Sequence, residues 1–548
     1  MSSRSVPIQR TVRIRSPHAT QVRLVVRSCH PGAPDVVVDA RPEHEDGGAG
    51  WWVAQFHAEP GDLYWLVVDD GPALLDPSCH DLALTAEGPR SVMREPWEPR
   101  PAGRALAAPA IVYEAHVKGL GGGYLGCIER LDHIASTGAN VLELMPVHPF
   151  DDHDNYWGYM PLVWGAVHRG YAQRPERAAE ELAELVAAAH QRGMHVWLDV
   201  VFNHLGEGDA AMPVRSIRGM DEAAVYRHHA DGRPTNDSGC GNDIDPADPW
   251  VRRLVIDALD RYADLGVDGF RFDLASLLTR DGGGLVTRIT EWADTRGVLL
   301  VAEPWDLGAY QVGHGWPWPT WLQWNDRFRD TVRGLLRGEN GWVRAVRQRV
   351  QGSPDLFGPD GAARTINFID AHDGLTLHDL TTVTSDRHHS WDCGPELRMQ
   401  QLKNYFALLL LSAGTPMWVM GDEFARSQQG HDNPYDIDGP TTWVDWTRAT
   451  TWSELTDFVR TLVALRRRHP MMQFHFHGVG PTIDLGFLSH SLAWRTGDLY
   501  VMVNAWWEPL TFEVQGDGPW TQVAATAAPG VVSGAYTLAP RSVVVLER

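Results

Sequence analysis

Positive charge is scarce in this sequence. The 548 residues include 48 lysines and arginines against 70 aspartates and glutamates, which gives a formal net charge of −22 at pH 7. Binding to nucleic acid or to an anionic membrane surface depends on clustered lysine and arginine side chains. The charge balance therefore argues against both kinds of partner and favours a neutral or soluble one.

Cysteine is also scarce, and long apolar runs are missing. The five cysteines are odd in number and widely spaced, which argues against a disulfide framework and predicts reduced thiols in a cytoplasmic protein. No run of about 18 apolar residues occurs, so a membrane-spanning helix is excluded. The first residues contain no apolar stretch of the length that a signal peptide needs.

Several catalytic and metal-binding motifs are absent. Neither the zinc-binding HExxH pattern nor a paired cysteine and histidine spacing occurs. The GxSxG pattern of a nucleophilic serine is missing. The glycine runs at 121–123 and 282–284 lack the Gly-Lys-Ser/Thr that completes a phosphate loop. We therefore predict no cofactor and no required metal ion.

Hydrophobic patterning divides the chain into three predicted parts. Residues 1–105 contain short β-rich runs between Pro, Gly and Asp turns, which predicts an N-terminal β-sandwich closed by a proline-rich linker at 95–101. Residues 106–470 alternate apolar strands with amphipathic helices, which predicts an α/β protein built on a (β/α)8 barrel with a short insertion at about 205–248. Residues 471–548 predict a C-terminal antiparallel β-domain. The predicted barrel strands are 111–116, 140–145, 195–201, 267–273, 298–303, 321–324, 365–370 and 415–420, and the clearest predicted helices are 176–192, 398–412 and 453–468.

Four segments at predicted strand ends stop at acidic or imidazole side chains. They are DVVFNH at 199–204, GFRFD at 269–273, AEP at 302–304 and AHD at 371–373. In a (β/α)8 barrel the carboxyl ends of the strands converge on one mouth, where polar residues are typical of catalysis. The segments would bring four carboxylates, one arginine and two histidines into a single cleft, which points to a glycosidase.

Two of these carboxylates have the placement of a glycosidase acid pair. Asp273 and Glu303 end neighbouring strands, and such strands lie ~4.8 Å apart. Retaining glycoside hydrolysis needs a carboxylate nucleophile and a carboxylic acid about 5 Å apart, so the pair fits retention better than the wider inverting geometry. Arg271 precedes Asp273 by two residues and should point to the same side of its strand. Its guanidinium can hold the nucleophile ionised and oriented.

Tryptophan is unusually frequent, with 24 residues against 15 phenylalanines and 13 tyrosines. Flat aromatic faces stack on sugar rings, although core packing explains any single tryptophan better. Trp316, Trp318, Trp321 and Trp324 cluster in the loop and strand after Glu303, and we expect them to line the cleft.

The ordered strand-end segments resemble the conserved regions of the α-amylase clan, glycoside hydrolase family 13. Further stretches are similar to the isoamylase and glycogen-debranching group of that clan, namely YEAHVK at 113–118, ELMPVH at 143–148, NYWGY at 155–159, EPWD at 303–306, WNDRFRDTV at 324–332 and GDEFARSQQG at 421–430. The similarity extends over roughly residues 60–450, and 67–77 resembles the end of an early-set, starch-binding-type module. One departure is the stretch from Asp373 through 384–391, which is shorter than in typical glycogen debranchers.

The resemblance implies a role for each strand-end residue. Asp273 would be the nucleophile, Glu303 the general acid/base, and Asp373 the third catalytic carboxylate, which holds sugar hydroxyls as the ring distorts. The implied substrate-binding residues are Tyr159, Asp199, His204, Arg271, Trp305 and His372. Among them Tyr159 would stack beneath the glucose that both histidines bind, and Asp199 is expected to support Arg271 instead of touching substrate. Asn203 occupies a position used for calcium in α-amylases, but the sequence identifies no further ligands.

The activity implied by this resemblance is hydrolysis of α-1,6 branch linkages, with a branched α-glucan such as glycogen, amylopectin or limit dextrin as the partner. A glucan transferase, of the branching or 4-α-glucanotransferase type, would use the same covalent intermediate. An α-1,4-acting amylase would use the same acid pair. A non-catalytic glucan-binding protein is a further alternative, against which the intact acid pair argues.

Overall fold

The computed structural model describes residues 8–43, 50–95, 97–100, 106–153, 155–516, 518–532 and 535–548. The N-terminal part of the described chain consists of antiparallel strands. These strands are β1 (Ile8–Arg15), β2 (Val22–Arg27), β3 (Val36–Asp39), β4 (Arg41–Glu43), β5 (Trp51–Ala58), β6 (Leu63–Val68), β7 (Ala73–Leu74), β8 (Leu82–Thr85) and β9 (Gly88–Val92). One sheet has the order β1-β5-β4, and the other has the order β3-β2-β6-β9-β8 with β7 paired to β6. Every second residue of β2 is buried, as expected for a sheet with one face on a core.

Eight parallel strands form a closed barrel after this part. They are β10 (Val112–Ala115), β11 (Val141–Leu144), β12 (His195–Val200), β13 (Gly269–Phe272), β14 (Leu299–Ala302), β15 (Leu322–Asn325), β16 (Thr365–Phe368) and β17 (Thr415–Val419). Each strand overlaps its predicted counterpart, and β17 pairs with β10 to close the ring. The predicted α/β fold class with a (β/α)8 barrel is therefore confirmed.

Helices connect the barrel strands and pack around them. They are α1 (Val117–Gly121), α2 (Tyr124–Ile128), α3 (Leu131–Thr137), α4 (Ala178–Gln191), α5 (Arg218–Val225), α6 (Pro249–Asp264), α7 (Gly284–Arg296), α8 (Asp326–Arg337), α9 (Val343–Val350), α10 (Pro354–Phe357), α11 (Pro395–Leu410), α12 (Arg448–Thr451) and α13 (Ser453–Arg468). The three helices singled out from the sequence correspond to α4, α11 and α13. Asp248 caps the N-terminus of helix α6, where its carboxylate accepts hydrogen bonds from two backbone N–H groups of the first turn.

The C-terminal part is again antiparallel, with its own buried core. Its strands are β18 (His475–His477), β19 (Ser491–Thr496), β20 (Leu499–Asn504), β21 (Leu510–Glu513), β22 (Thr521–Ala525), β23 (Gly530–Val532), β24 (Ala535–Leu538) and β25 (Ser542–Glu547). They form a five-stranded sheet, β18-β19-β20-β25-β22, and a three-stranded sheet, β21-β24-β23. Antiparallel sheets thus flank the barrel on both sides in the chain, as predicted.

The exact division into three parts remains a prediction. Within the predicted linker at 95–101, Pro96 and Pro101 lie outside the described residues, as does the boundary region 102–105. All residues of the predicted insertion at 205–248 are described. They form α5 and two isolated β-bridges, and none of them belongs to a β-strand. All five cysteines are unpaired. No helix in the described part of the chain is long and apolar enough to cross a membrane.

Candidate active site

The interior of the barrel changes from apolar to charged toward the carboxyl ends of its strands. Side chains of a strand alternate between two faces, so residues two apart share the interior face. Val112, Val141, Trp197 and Val301 belong to a buried apolar cluster inside the barrel. Two positions further along the same strands stand Glu114, Glu143, Asp199 and Glu303. The sequence thus builds a charged layer on an apolar one, at the end of the barrel where catalytic residues are typical.

Arg271 is the centre of this charged layer. Its Nη1 lies 2.7 Å from Asp199 Oδ2 and 3.2 Å from Asp273 Oδ1, and its Nη2 lies 3.0 Å from Glu303 Oε2. The face of the guanidinium stacks on Trp324, with its carbon 4.2 Å from the ring centroid. The arginine side chain is 1% exposed. One buried cation therefore holds three carboxyl groups in fixed positions, including both members of the predicted acid pair.

Glu303 is placed to carry a proton. Burial raises its pKa to about 8, with Arg271 opposing the shift and Asp273 adding to it. Its Oε2 also accepts a hydrogen bond of 2.7 Å from the backbone N–H of Leu274. Leu274 has a φ of 41°, in the left-handed region that residues other than glycine seldom adopt. This unusual turn after Asp273 aims a backbone donor at the carboxyl group of the neighbouring strand.

Asp273 is oriented by two side chains. Besides Arg271, the amide of Asn203 donates to the Asp273 carboxylate and to the Asp273 carbonyl, both at 2.8 Å. Asn203 is the residue for which the sequence left a calcium role open, and here its amide positions the acid pair. The described residues contain no group of three or more His, Cys, Asp and Glu side chains that could hold a metal ion.

His372 and Tyr159 form a second buried group beside the acid pair. His372 Nδ1 lies 2.8 Å from Glu114 Oε1, and its ring stacks on Tyr159 with centroids 5.0 Å apart. The Tyr159 hydroxyl donates to Asp199, which also contacts Arg271. Burial opposes a charge on His372, but Glu114 raises its pKa to about 9, so the ring is cationic at neutral pH. Burial raises the pKa of Asp199 to about 6.

Asp373 faces the open part of the cleft. Loss of water contact disfavours its charge, but His372 and Arg329 hold its pKa below the ordinary value. The cleft has a volume of about 460 Å³, and its walls include Glu303, Trp305 and Asp373. At the rim, Trp305 stacks on Tyr310 with ring centroids 6.4 Å apart. A carboxylate and two aromatic rings thus face the space in front of the acid pair.

Two expectations from the sequence need correction. Trp316 and Trp321 are 1% and 0% exposed and contact each other in the core, with Trp321 packed on Phe272. Only Trp324 of the predicted cluster lies among the described residues that line the cleft. The expectation that all four tryptophans line it was wrong, because most of them fill the space between β13 and its neighbours.

His204 does not line the cleft either. Its Nε2 contacts the Tyr159 carbonyl at 2.7 Å, its Nδ1 contacts the Asn203 side chain at 2.5 Å, and the residue is 1% exposed. The structure therefore gives His204 a supporting position behind Tyr159 and Asn203. Asp199 holds Arg271, as expected, and its contact with Tyr159 was not foreseen.

Sequence reasoning assigned no role to Glu114 or Arg329. Both residues stand in stretches that carried the family resemblance, at 113–118 and 324–332. Glu114 also precedes a strand end by one residue, as Arg271 does, and this shared position was the available signal. What the sequence could not supply was the pairing of Glu114 with His372, which lies 258 residues away.

Replacement of Glu114 by glutamine is expected to weaken sugar binding. Without the Glu114 carboxylate, burial and Arg271 lower the pKa of His372 and Asp373 remains to raise it, so the pKa should fall from its present value. A hydrogen bond to a charged group contributes about 1.5–3 kcal/mol, so we expect affinity for a maltooligosaccharide to fall by about tenfold or more at pH 7. The affinity should recover at lower pH, where His372 regains its proton. Calorimetry across pH and histidine NMR titration measure both effects.

Glu143→Gln is the matched control. Glu143 pairs in register with Glu114 on the adjacent strand, and burial raises its pKa well above the usual value. This shift favours the protonated form of Glu143, and glutamine keeps the shape and the neutrality of that form. We expect unchanged binding and an unchanged His372 titration. Equal losses in the two variants would mean that the barrel interior responds to packing and not to the Glu114 charge.

The closed parallel barrel and the arginine-bridged carboxyl groups at its strand ends define the class of α-amylase-type barrels. The sequence profile described as Alpha amylase, catalytic domain matches residues 95–232. The chain is 35% identical over 461 residues to the Glycogen operon protein GlgX homolog of Mycobacterium bovis, which covers 72% of this chain and 63% of that protein. It is 36% identical over 431 residues to the Glycogen debranching enzyme of Escherichia fergusonii, which covers 69% of this chain and 65% of that protein. The chain belongs to the α-amylase family, glycoside hydrolase family 13, in its isoamylase and glycogen-debranching group.

The solved structures agree with the fold. A pullulanase from Anoxybacillus sp. LM18-11, crystallised with maltotetraose, superimposes with a TM-score of 0.82 at 23% identity, over 100% of this chain and 87% of that one. At this level of identity the likeness concerns the fold. The chain spans less than two thirds of the length of both curated relatives.

Proposed function

We propose that the protein is a retaining glycoside hydrolase that cleaves α-1,6 branch linkages of glycogen or a related α-glucan. The observation that carries this proposal is the acid pair on Arg271, in which Glu303 has a pKa of about 8 and Asp273 carries hydrogen bonds from Arg271 and Asn203. A retaining mechanism needs one protonated and one ionised carboxyl group side by side at neutral pH. Glu303, whose pKa is raised by burial, suits the role of the protonated group. Asp273, which accepts hydrogen bonds from Arg271 and Asn203, suits the role of the ionised group.

In the proposed mechanism Glu303 donates its proton to the glycosidic oxygen while Asp273 attacks the anomeric carbon from the opposite face. The bond to the leaving chain breaks, and a glucosyl ester forms on Asp273. Glu303, now ionised, removes a proton from water as the water attacks that ester, and Asp273 leaves. Two inversions give an α product. Arg271 stabilises the negative charge that passes between the two carboxyl groups.

We further propose that Asp373 and His372 bind the hydroxyls of the glucose unit at the cleavage point. Asp373 is exposed in the cleft and His372 is cationic, so the pair offers an acceptor and a donor on one side of the sugar. The Tyr159 ring, stacked on His372, supplies the apolar platform. Trp305 and Tyr310, at the rim, would hold a second chain.

The choice of the α-1,6 linkage rests on the relatives and on the shape of the cleft. Relatives are named glycogen debranching enzyme and isoamylase. A branch point brings two glucan chains together, so the cleft must be open beside the acid pair. Leu307 and Tyr310 line the cleft and are exposed, and only residues 374–394 separate the AHD segment from α11. Cytoplasmic location stays a prediction, which the bacterial relative named for a glycogen operon supports.

Branched glucan is therefore expected to release linear chains, with rising iodine absorbance and new reducing ends, while amylose is scarcely shortened. Pullulan should be cut poorly, because its α-1,6 bonds lie within a continuous chain. Chain-length analysis of products from glycogen, pullulan and amylose measures this. Comparable shortening of amylose would mean an α-1,4-acting amylase. Rearranged branching without new reducing ends would mean a transferase.

A further inference from the structure

A second cavity among the described residues lies apart from the acid pair. It has a volume of about 730 Å³ and lies between the N-terminal sheets and helix α6. Pockets of this size accommodate small organic ligands. Its wall includes side chains from β1, such as Arg10, and from the last turn of α6, such as Arg261. Neither the acid pair nor any other residue of the proposed active site contributes to it.

Arg261 is the unusual residue of this cavity. It is 7% exposed, yet within the described part of the chain its guanidinium has no ion pair and no hydrogen bond, and its Nε is buried without a partner. Its guanidinium carbon lies 5.3 Å from the centroid of the Trp97 ring. Stacking engages the face of a guanidinium and leaves its in-plane N–H donors available. A buried cation without an anion is costly unless a ligand supplies one.

A second arginine and a histidine stand beside it. Arg10 donates from Nη2 to the Arg94 carbonyl at 2.6 Å, but its Nε is buried without a partner and the described residues provide no carboxylate for it. His80 lines the same cavity. Burial and the charges of Arg261 and Arg10 lower the pKa of His80 to about 4. The neutral imidazole can therefore donate one hydrogen bond without adding to the positive charge.

Within the described residues no carboxylate forms an ion pair with Arg261 or Arg10, although the charges of Glu180 and Asp264 act on Arg261 at longer range, and most carboxylates of the cavity contact other partners. Asp264 lies 2.5 Å from Arg296, Asp260 accepts from Trp292 at 2.8 Å, and Asp257 lies 3.4 Å from Arg253. Asp76 accepts from the Tyr64 hydroxyl at 2.8 Å. Glu95 stands exposed at the rim. Two guanidinium groups without a direct ion pair among the described residues thus line this cavity.

We propose that this cavity is a binding site for a phosphorylated sugar, with Arg261 and Arg10 on the phosphate. The planar donor fork of arginine matches the oxygens of a phosphate monoester. The cavity is much larger than a phosphate ion, and its remaining polar wall, with the hydroxyl of Ser78 and the carboxylate of Glu95, suits the hydroxyls of a sugar ring. The site is distinct from the catalytic cleft, so the proposal does not depend on the linkage that the enzyme cuts.

The test measures binding of glucose 6-phosphate, inorganic phosphate and glucose by calorimetry. The protein is the full chain with Asp273→Asn, which removes turnover. We expect glucose 6-phosphate to bind at least tenfold more tightly than inorganic phosphate, and glucose not to bind at the site. Arg261→Leu and Arg10→Leu should each lower the affinity for glucose 6-phosphate at least tenfold. Arg253→Leu, at an exposed and already paired arginine of the same cavity, is the matched control and should bind normally.

Thermal unfolding separates a binding role from a structural one. An unpaired buried cation contributes little to the unliganded fold, so Arg261→Leu should unfold at the same temperature as the parent or higher. The parent should gain stability with added glucose 6-phosphate, and the variant should not. Destabilisation of unliganded Arg261→Leu, or equal binding by that variant, would overturn the proposal. Equal affinity for inorganic phosphate and glucose 6-phosphate would overturn the assignment of a sugar. Neither result would affect the test on branched glucan.

Discussion

Asp273→Asn and Glu303→Gln are each expected to lower kcat on branched glucan by about 10³-fold or more, the loss typical of removing a nucleophile or a general acid. Both residues contact the Arg271 guanidinium at the mouth of the barrel. The substitutions keep shape and change only charge and proton content. Glucan binding and the unfolding temperature should therefore change little. Folded protein of either variant with near-normal activity would contradict the assignment of the acid pair.

Azide rescue distinguishes the two roles. With an activated substrate such as an α-glucosyl fluoride, azide can replace the missing carboxylate of Asp273→Ala and should give the β-glucosyl azide by a single inversion. In Glu303→Ala the nucleophile is intact, so azide should attack the covalent ester and give the α-glucosyl azide after two inversions. Proton NMR identifies each anomer. The opposite pattern would exchange the roles, and an initial β product from the unmodified protein would mean an inverting site.

The pH profile supplies a further measurement on the same pair. In the proposed mechanism Glu303 must be protonated at the start of the reaction, and burial raises its pKa to about 8. Activity should therefore fall as pH rises through about 8, because the acid then loses its proton. Glu303→Gln can be assayed with a substrate whose leaving group needs no protonation. The fall in activity above about pH 8 should then be absent from its pH profile. If the variant still loses activity as pH rises through about 8, the fall is due to the titration of another group.

The sequence predicted the site where the prediction needed only local rules. Period-two alternation placed Arg271 and Asp273 on one side of β13, and the convergence of parallel strands placed Glu303 beside them. These statements depend on the strand alone and hold wherever the barrel forms. The polar residue at the end of a buried strand was therefore a reliable signal.

Prediction failed where a side chain's surroundings come from distant parts of the chain. Trp316 and Trp321 follow Glu303 closely, but helix α7 and strand β13 enclose them, and the sequence between these elements gave no sign of this. His204 ends the DVVFNH segment but is held behind the site by the carbonyl of Tyr159. The lack of a direct ion pair to Arg261 among the described residues is likewise a tertiary property, since a sequence does not reveal which carboxylates have other partners.

Arg271→Met is expected to abolish detectable turnover and to destabilise the fold. Among the residues that the structure describes, Arg271 is the one cation that contacts Asp199, Asp273 and Glu303 together. Removing one member of a buried ion group costs about 3–5 kcal/mol, because the partner carboxylates lose their counter-charge without regaining water. Chemical denaturation measures the loss. Arg271→Lys keeps the charge but not the planar fork, so it should retain more stability than Arg271→Met and still lose most activity.

The double variant Arg271→Met with Asp199→Asn separates charge from packing. Burial already raises the pKa of Asp199 to about 6 with Arg271 in place, and its pKa must rise further without that cation. A group with a raised folded-state pKa contributes stability at low pH, and this contribution is lost as pH rises through that pKa. Arg271→Met should have a lower free energy of unfolding than the parent, and this difference should therefore grow between about pH 5 and about pH 8. Asp199→Asn should flatten this dependence and restore part of the stability, but no activity. Parallel stability curves at all pH values would mean that Arg271 acts through its packing on Trp324.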